Sequence, residues 1–91
     1  MKVFELGNGE PEFGVVGGIH GDEPCGKMAI EKFLNQDFEI QKPVKLVIAN
    51  EKALEKGKRY NEIDLNRIFP GKENSDLYEE KLAAEIMNEL Q

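Results

Sequence analysis

The chain has 91 residues, of which 40% are hydrophobic and 33% are charged, and its formal net charge is -6. This length corresponds to a single small domain. The acidic balance argues against a nucleic-acid-binding protein, which uses a basic surface to displace counterions. The longest apolar runs are far too short to cross a bilayer, so no membrane association is predicted. The single cysteine, Cys25, cannot form an internal disulfide, and no secretory leader opens the chain, so we expect a cytoplasmic location.

The hydrophobic pattern predicts strands that alternate with helices. This order is typical of a layered α/β fold with a largely parallel sheet. We predict strands at residues 1–6, 13–18 and 44–49, helices after Pro24, at residues 51–56 and from Ser75 onward, and irregular segments at residues 35–43 and 58–72.

The final predicted helix carries an apolar stripe made of Tyr78, Leu82, Ile86 and Leu90 above a charged opposite face. In a layered fold such a helix returns the chain to another strand, whereas this sequence stops at Gln91. We therefore expect residues 1–91 to form a single partial domain.

A glycine-rich turn follows the second predicted strand, where α/β proteins place their chemistry. Residues 21–28 approach the phosphate-binding pattern G-x-x-x-x-G-K-[ST]. However, Met28 replaces the hydroxyl residue, Pro24 removes a backbone donor, and the acidic neighbours would repel phosphate. The sequence therefore argues against nucleotide binding at this turn.

The same turn carries His20 and Glu23, whose spacing lets an imidazole and a carboxylate converge on one cation. Zinc accepts this pair of donors. The motif H-x-x-E is short, however, and taken alone it favours a solvated loop histidine beside a helix-capping carboxylate. The remaining residues of the chain decide between the two interpretations.

The irregular segment places Arg59, Asn66 and Arg67 on one loop. An arginine near a metal can polarise a carbonyl or hold a developing oxyanion. An Asn-Arg pair can bind a carboxylate through forked donors. Ordinary ion pairing in an acidic protein is the alternative for the two arginines.

Together, the two segments resemble the succinylglutamate desuccinylase/aspartoacylase family of zinc carboxypeptidase-like hydrolases. Residues 17–23 are similar to the family's first metal motif, Gly-Gly-x-His-Gly-(Asn/Asp)-Glu. Residues 59–71 resemble its second motif, Arg-Tyr-…-Asp-Leu-Asn-Arg-x-Phe-Pro-Gly, and residues 49–53 resemble the strand end and turn between them. The resemblance covers almost the whole chain. It implies the N-terminal part of a three-layer α/β/α zinc-carboxypeptidase-like fold with a mostly parallel or mixed sheet.

The resemblance also implies a reaction, the zinc-dependent hydrolysis of the amide bond of an N-acylated amino acid. The cofactor would be Zn²⁺ and the partner a small acylated amino acid. By the same resemblance, His20 and Glu23 are two of three zinc ligands, Arg59 acts on the scissile carbonyl, Asn66 and Arg67 bind the substrate carboxylate, and Asp64 braces the loop.

The sequence departs from the family because the third zinc ligand, a histidine, and the catalytic glutamate lie beyond the helix at which this chain stops. Asp22 or Cys25 would replace the third ligand only awkwardly, since both are neighbours along the turn, and Cys25 is expected to be buried in its helix. We therefore expect the 91 residues alone to bind zinc weakly and to be inactive. In order of preference, the chain is a truncated hydrolase, a natural remnant, or part of a site that another polypeptide completes.

Two other functions stay open. The chain is alternatively a non-catalytic module in which Arg59, Asn66 and Arg67 hold a small carboxylate. It is also compatible with a self-associating interaction domain, whose exposed sheet edge pairs with a second copy to form a homodimer.

Overall fold

The computed structural model describes residues 1–36, 40 and 42–91, so the predicted connection at residues 35–43 lies partly outside the described residues. The predicted strands and helices are present, with ends that shift by a few residues. In chain order, the elements are β1 Lys2–Leu6, β2 Phe13–Gly17, α1 Cys25–Leu34, β3 Val44–Ile48, α2 Glu51–Lys56, a 3₁₀ turn at Leu65–Arg67, and α3 Tyr78–Leu90.

The sheet of the described residues has the strand order β1-β3-β2. β3 is central because four of its five residues are apolar and its last three are buried, which suits a strand covered on both faces. β1 pairs with β3 antiparallel, with Val3 opposite Val47. β2 pairs with β3 parallel, with Val15 opposite Leu46. The sheet is therefore mixed rather than largely parallel, and a mixed sheet is one of the two types, mostly parallel or mixed, that the family resemblance implies.

Helices cover both faces of this sheet. Side chains alternate along β3, so that Leu46 and Ile48 pack with Ile30 of α1 in one cluster. Ala49, on the other face, packs with Ile86 of α3 in a second cluster. This arrangement confirms the predicted layered α/β fold. No helix in the described part of the chain is both long enough and apolar enough to span a bilayer.

Two glycines allow α1 to approach β2 closely. A Cβ atom added to Gly17 would lie 2.8 Å from the backbone of Gly26, a distance that real Cβ atoms essentially never show. The helix can therefore begin directly over the end of β2, and the turn that carries His20 is held at that end of the sheet.

The predicted start and apolar stripe of the last helix need correction. α3 begins at Tyr78 rather than Ser75, and the Ser75 hydroxyl instead accepts a hydrogen bond of 3.0 Å from the N–H of Leu77. Leu90, the last residue of α3, is 44% exposed, whereas Glu79, outside the predicted stripe, is fully buried. The predicted stripe is therefore confirmed at Leu82 and Ile86, which are buried, and differs from the observed buried face at Leu90 and Glu79.

Candidate functional site

His20 is hydrogen bonded at both ring nitrogens. Its Nδ1 lies 2.9 Å from Oε2 of Glu23, and its Nε2 lies 2.8 Å from Oδ1 of Asp64. Carboxylate oxygens accept, so a protonated imidazole donates at both positions. The ring is largely covered, whereas the side chain of Glu23 is 60% exposed. Asp64 therefore orients the imidazole through Nε2, while Nδ1 contacts the solvent-exposed Glu23.

These contacts perturb the pKa values of the pair. The hydrogen bond to Asp64 is the main cause that raises the pKa of His20, with help from Glu23 and against the opposing effects of burial and of Arg59. The pKa of Asp64 is lowered, chiefly by the hydrogen bond from His20 and further by the backbone N–H of Asn66. The two groups therefore favour the charged imidazolium and carboxylate when nothing else is bound.

Asp64 also connects the two arginines of the loop. Its Oδ2 lies 3.5 Å from Nε of Arg59 and 3.6 Å from Nε of Arg67. The aspartate side chain is 11% exposed, while those of Arg59 and Arg67 are 49% and 81% exposed. Each guanidinium therefore keeps donors that face solvent, from which an anion can approach.

A close backbone contact holds the two motifs together. The N–H of Gly21 donates a hydrogen bond of 3.2 Å to the carbonyl oxygen of Arg59. A Cβ atom at Gly21 would lie 2.1 Å from the backbone of Ala53 and 2.2 Å from the carbonyl oxygen of Lys58. Only glycine fits, so the turn after β2 lies directly against the end of α2 and the start of the arginine loop.

The structure thus brings His20, Glu23, Arg59, Asp64 and Arg67 into one site. The Oδ1 atom of Asp64 accepts a hydrogen bond of 3.0 Å from the N–H of Asn66, at the start of the 3₁₀ turn. Asn66 differs from the others. Its backbone joins the network, while the residue itself is exposed.

Asp22 and Cys25 are the two residues of the turn that could replace a third ligand only awkwardly. Among the described residues, no three His, Cys, Asp or Glu side chains form a group that could hold a metal ion, so neither Asp22 nor Cys25 completes the pair. Cys25 is also exposed rather than buried, because it is the first residue of α1 and lies outside the face that packs on the sheet.

His20 and Glu23 nevertheless fit a zinc ion by the chemistry of the donor set. An imidazole nitrogen and a carboxylate oxygen are two of the ligand types that zinc binds, and here they already lie within contact of each other. The second ring nitrogen contacts a carboxylate, as is usual for metal-bound histidines.

Sequence reasoning missed two buried polar residues beneath the site, Asn50 and Glu79, both 0% exposed. Glu79 lies outside the apolar stripe predicted for the last helix. Its spacing contains a signal, because position 79 precedes Leu82 and Ala83 by three and four residues and therefore shares their buried face. A glutamate at an apolar position of an amphipathic helix needs a specific partner.

Comparison with known proteins gives a consistent result. The sequence profile described as the succinylglutamate desuccinylase/aspartoacylase catalytic domain matches residues 10–91. A probable aspartoacylase of Nostoc sp. is 47% identical over 58 residues, which are 60% of this chain and 20% of that protein. The aspartoacylase of Mus musculus is 35% identical over 75 residues, which are 79% of this chain and 24% of that protein.

A further relative and a solved structure widen the range of similar proteins. The N-acyl-aromatic-L-amino acid amidohydrolase (carboxylate-forming) of Xenopus tropicalis is 36% identical over 81 residues. The crystal structure of the succinylglutamate desuccinylase of Chromobacterium violaceum has a TM-score of 0.83 at 25% identity, over 94% of this chain and 30% of that one. The chain spans about a fifth to a quarter of the length of these sequence relatives.

Proposed function

The chain belongs to the succinylglutamate desuccinylase/aspartoacylase family of hydrolases, and on this premise we propose that it supplies part of a zinc-dependent amide hydrolase site. The substrate class is an N-acylated amino acid, and residues 1–91 are one partial domain of the catalytic unit. The observation that carries the proposal is the imidazole of His20, held between Glu23 and Asp64 beside two solvent-facing arginines.

In this proposal His20 and Glu23 hold the zinc ion, which when bound supplies Lewis-acid polarisation of the amide carbonyl and activation of water. Asp64 accepts from Nε2 of His20 and so leaves Nδ1 directed at Glu23 and the metal position. The third ligand and the general base come from a polypeptide segment outside these 91 residues. The 91-residue chain alone is therefore proposed to be inactive.

The arginine loop binds and orients the substrate. The backbone carbonyl oxygen of Arg59 accepts a hydrogen bond from the N–H of Gly21, next to His20. In this proposal the Arg59 guanidinium is directed at the scissile carbonyl oxygen of the substrate. Arg67, the most exposed of the charged groups in the site, takes the substrate carboxylate together with the side chain of Asn66. Holding both ends of an anionic substrate accelerates the reaction by fixing its orientation.

The names of the similar proteins support this substrate class. They describe an aspartoacylase, an N-acyl-aromatic-L-amino acid amidohydrolase and a succinylglutamate desuccinylase. All three names refer to an acylated amino acid, and they differ in the acyl group or the side chain. We therefore expect the loop to recognise the amino acid carboxylate that such substrates share.

Zinc titration of the ¹⁵N-labelled chain, followed through the imidazole signals of His20, tests the proposed metal site. We expect the Nδ1 signal to shift, and Glu23→Gln to weaken binding by about tenfold or more, because one of two ligands is replaced by a poorer donor. Glu31→Gln, an exposed change on α1, is the matched control. The metal proposal is wrong if zinc leaves the His20 signals unchanged, or if both variants bind alike.

A metal-free carboxylate-binding module is the second candidate, favoured by the absence of a three-donor group among the described residues. Titration with an N-acetyl amino acid, with and without a chelator, distinguishes the two functions. Shifts of the Arg59 and Arg67 Nε signals that survive chelation indicate the module. Shifts that require zinc indicate the hydrolase site.

Self-association through β2 is proposed for the isolated chain. Within the described part of the sheet β2 pairs with β3 alone, and its Phe13 and Val15 are 54% and 49% exposed. An apolar edge strand of this kind favours pairing with another chain. Sedimentation should detect a dimer that Val15→Lys disrupts, and a chain that stays monomeric at high concentration excludes it.

A further inference from the structure

A buried glutamate lies directly beneath the loop that joins the two arginines to Asp64. Glu79, in the first turn of α3, is 0% exposed. Three consecutive backbone N–H groups donate to its carboxylate, from Asn61 at 2.6 Å, Glu62 at 2.8 Å and Ile63 at 3.1 Å. The side-chain amide of Asn50 donates a fourth hydrogen bond of 2.9 Å.

This arrangement maintains a charged group inside the protein. Burial is the largest influence on Glu79 and by itself raises its pKa, yet the hydrogen bonds from Asn50 and the three loop N–H groups together hold the pKa below its usual value. Successive N–H groups that converge on one point form an anion-binding concavity. Here the chain fills that concavity with its own carboxylate.

The loop fixed by Glu79 is the segment between the catalytic candidates. Asn61 follows Arg59 by two residues, and Ile63 immediately precedes Asp64. Asp64 in turn contacts His20. A displacement of residues 61–63 would therefore move both the arginine and the carboxylate that orient the site.

We propose that Glu79 is a positioning residue for this site, whose carboxylate holds the N–H groups of residues 61–63 and so aims Arg59 and Asp64 toward His20. The inference rests on the proposed function in one respect: the ligands that the positioned site would bind are zinc and an acylated amino acid. The fixed loop itself is a property of this chain that is measurable without either ligand.

A purely structural role for Glu79 leads to a different expectation. If the carboxylate only stabilised the core, its loss would lower the free energy of unfolding and would accelerate amide exchange throughout the sheet by one common factor. A positioning role instead predicts faster exchange in the loop, while β3 keeps its protection.

The test compares Glu79→Gln with Glu85→Gln, an exposed change of the same type on the same helix. We expect exchange at residues 61–63 to accelerate by at least about tenfold more than exchange at β3, since a glutamine cannot accept from all of these donors. The Nε signals of Arg59 and Arg67 should shift at constant pH. Glu85→Gln should change neither.

Equal acceleration in the loop and in β3, or unchanged loop exchange and arginine signals, overturns the proposal. Should Glu79→Gln fail to fold, Glu79→Asp keeps the charge but shortens its reach, and it is judged by the same comparison of loop and strand. If the wild-type chain binds neither zinc nor an N-acetyl amino acid, the proposed function fails, while the exchange and arginine signals still decide the role of Glu79.

Discussion

The Nε2 atom of His20 lies 2.8 Å from Oδ1 of Asp64, although 44 positions separate the two residues in the chain. The contact joins the glycine-rich turn to the arginine loop. Because Asp64 occupies one ring nitrogen, the other is directed at Glu23. The loop that is proposed to bind substrate therefore also orients the proposed metal ligand.

Replacement of Asp64 should weaken zinc binding without unfolding the protein. Partners that orient a metal-bound histidine typically change metal affinity by about 10- to 100-fold when they are mutated, so we expect a loss in this range for Asp64→Asn. Competition with a chromophoric chelator measures the affinity. Asp76→Asn, an exposed change outside the site, should leave it intact. A folded Asp64→Asn variant with wild-type affinity would contradict the orienting role.

Substitution of Arg67 should affect the substrate end of the site. Arg67→Lys keeps the charge but loses the fork of donors that matches a carboxylate, so we expect about tenfold weaker binding of an N-acetyl amino acid, or about 1.4 kcal/mol. Calorimetric titration gives the dissociation constants. Lys58→Ala removes an exposed charge from the same loop, and an equal loss in that variant would indicate non-specific attraction of anions.

Gly21→Ala should destabilise the fold through a steric clash. Its Cβ would lie 2.1 Å from the backbone of Ala53, so the turn or α2 must move, at a cost of about 3 kcal/mol or more. Gly57→Ala is the comparison, because Gly57 has φ +63 but nothing within 4 Å, and left-handed strain alone costs about 1 to 2 kcal/mol. Urea unfolding measures both values, and a smaller loss at Gly21 would contradict the close contact.

Glu79 should make stability depend on pH in the acidic range. Its pKa in the folded chain is held below the ordinary 4.5, so its contribution is fully present above about 4.5 and is lost as the pH falls through the folded value. Wild type and Glu79→Gln should therefore differ in unfolding free energy at pH 7 and converge under acidic conditions. Urea unfolding at several pH values tests this. A constant difference down to pH 3 would show that folding does not lower the pKa of Glu79.

The sequence by itself was sufficient for the family and for the local structure. Two motifs predicted the family that the profile of residues 10–91 shows, and hydrophobic periodicity predicted the strands and helices. Strands, helices and short motifs depend on residues that are only a few positions apart in the chain. The contact between His20 and Glu23 is of this kind. Because only three positions separate these two residues, their spacing in the sequence is enough to indicate the contact.

Only the tertiary structure decided which distant groups meet. The strand order, the contact of His20 with Asp64 and the burial of Glu79 all arise when the two motifs close around the end of β3. Cys25 was misjudged for the same reason, because the orientation of α1 on the sheet, rather than its own periodicity, decides which side chains are covered. Burial and long-range contacts depend on how whole helices and strands pack together. A single sequence contains the residues that pack, but it does not show which of them contact each other.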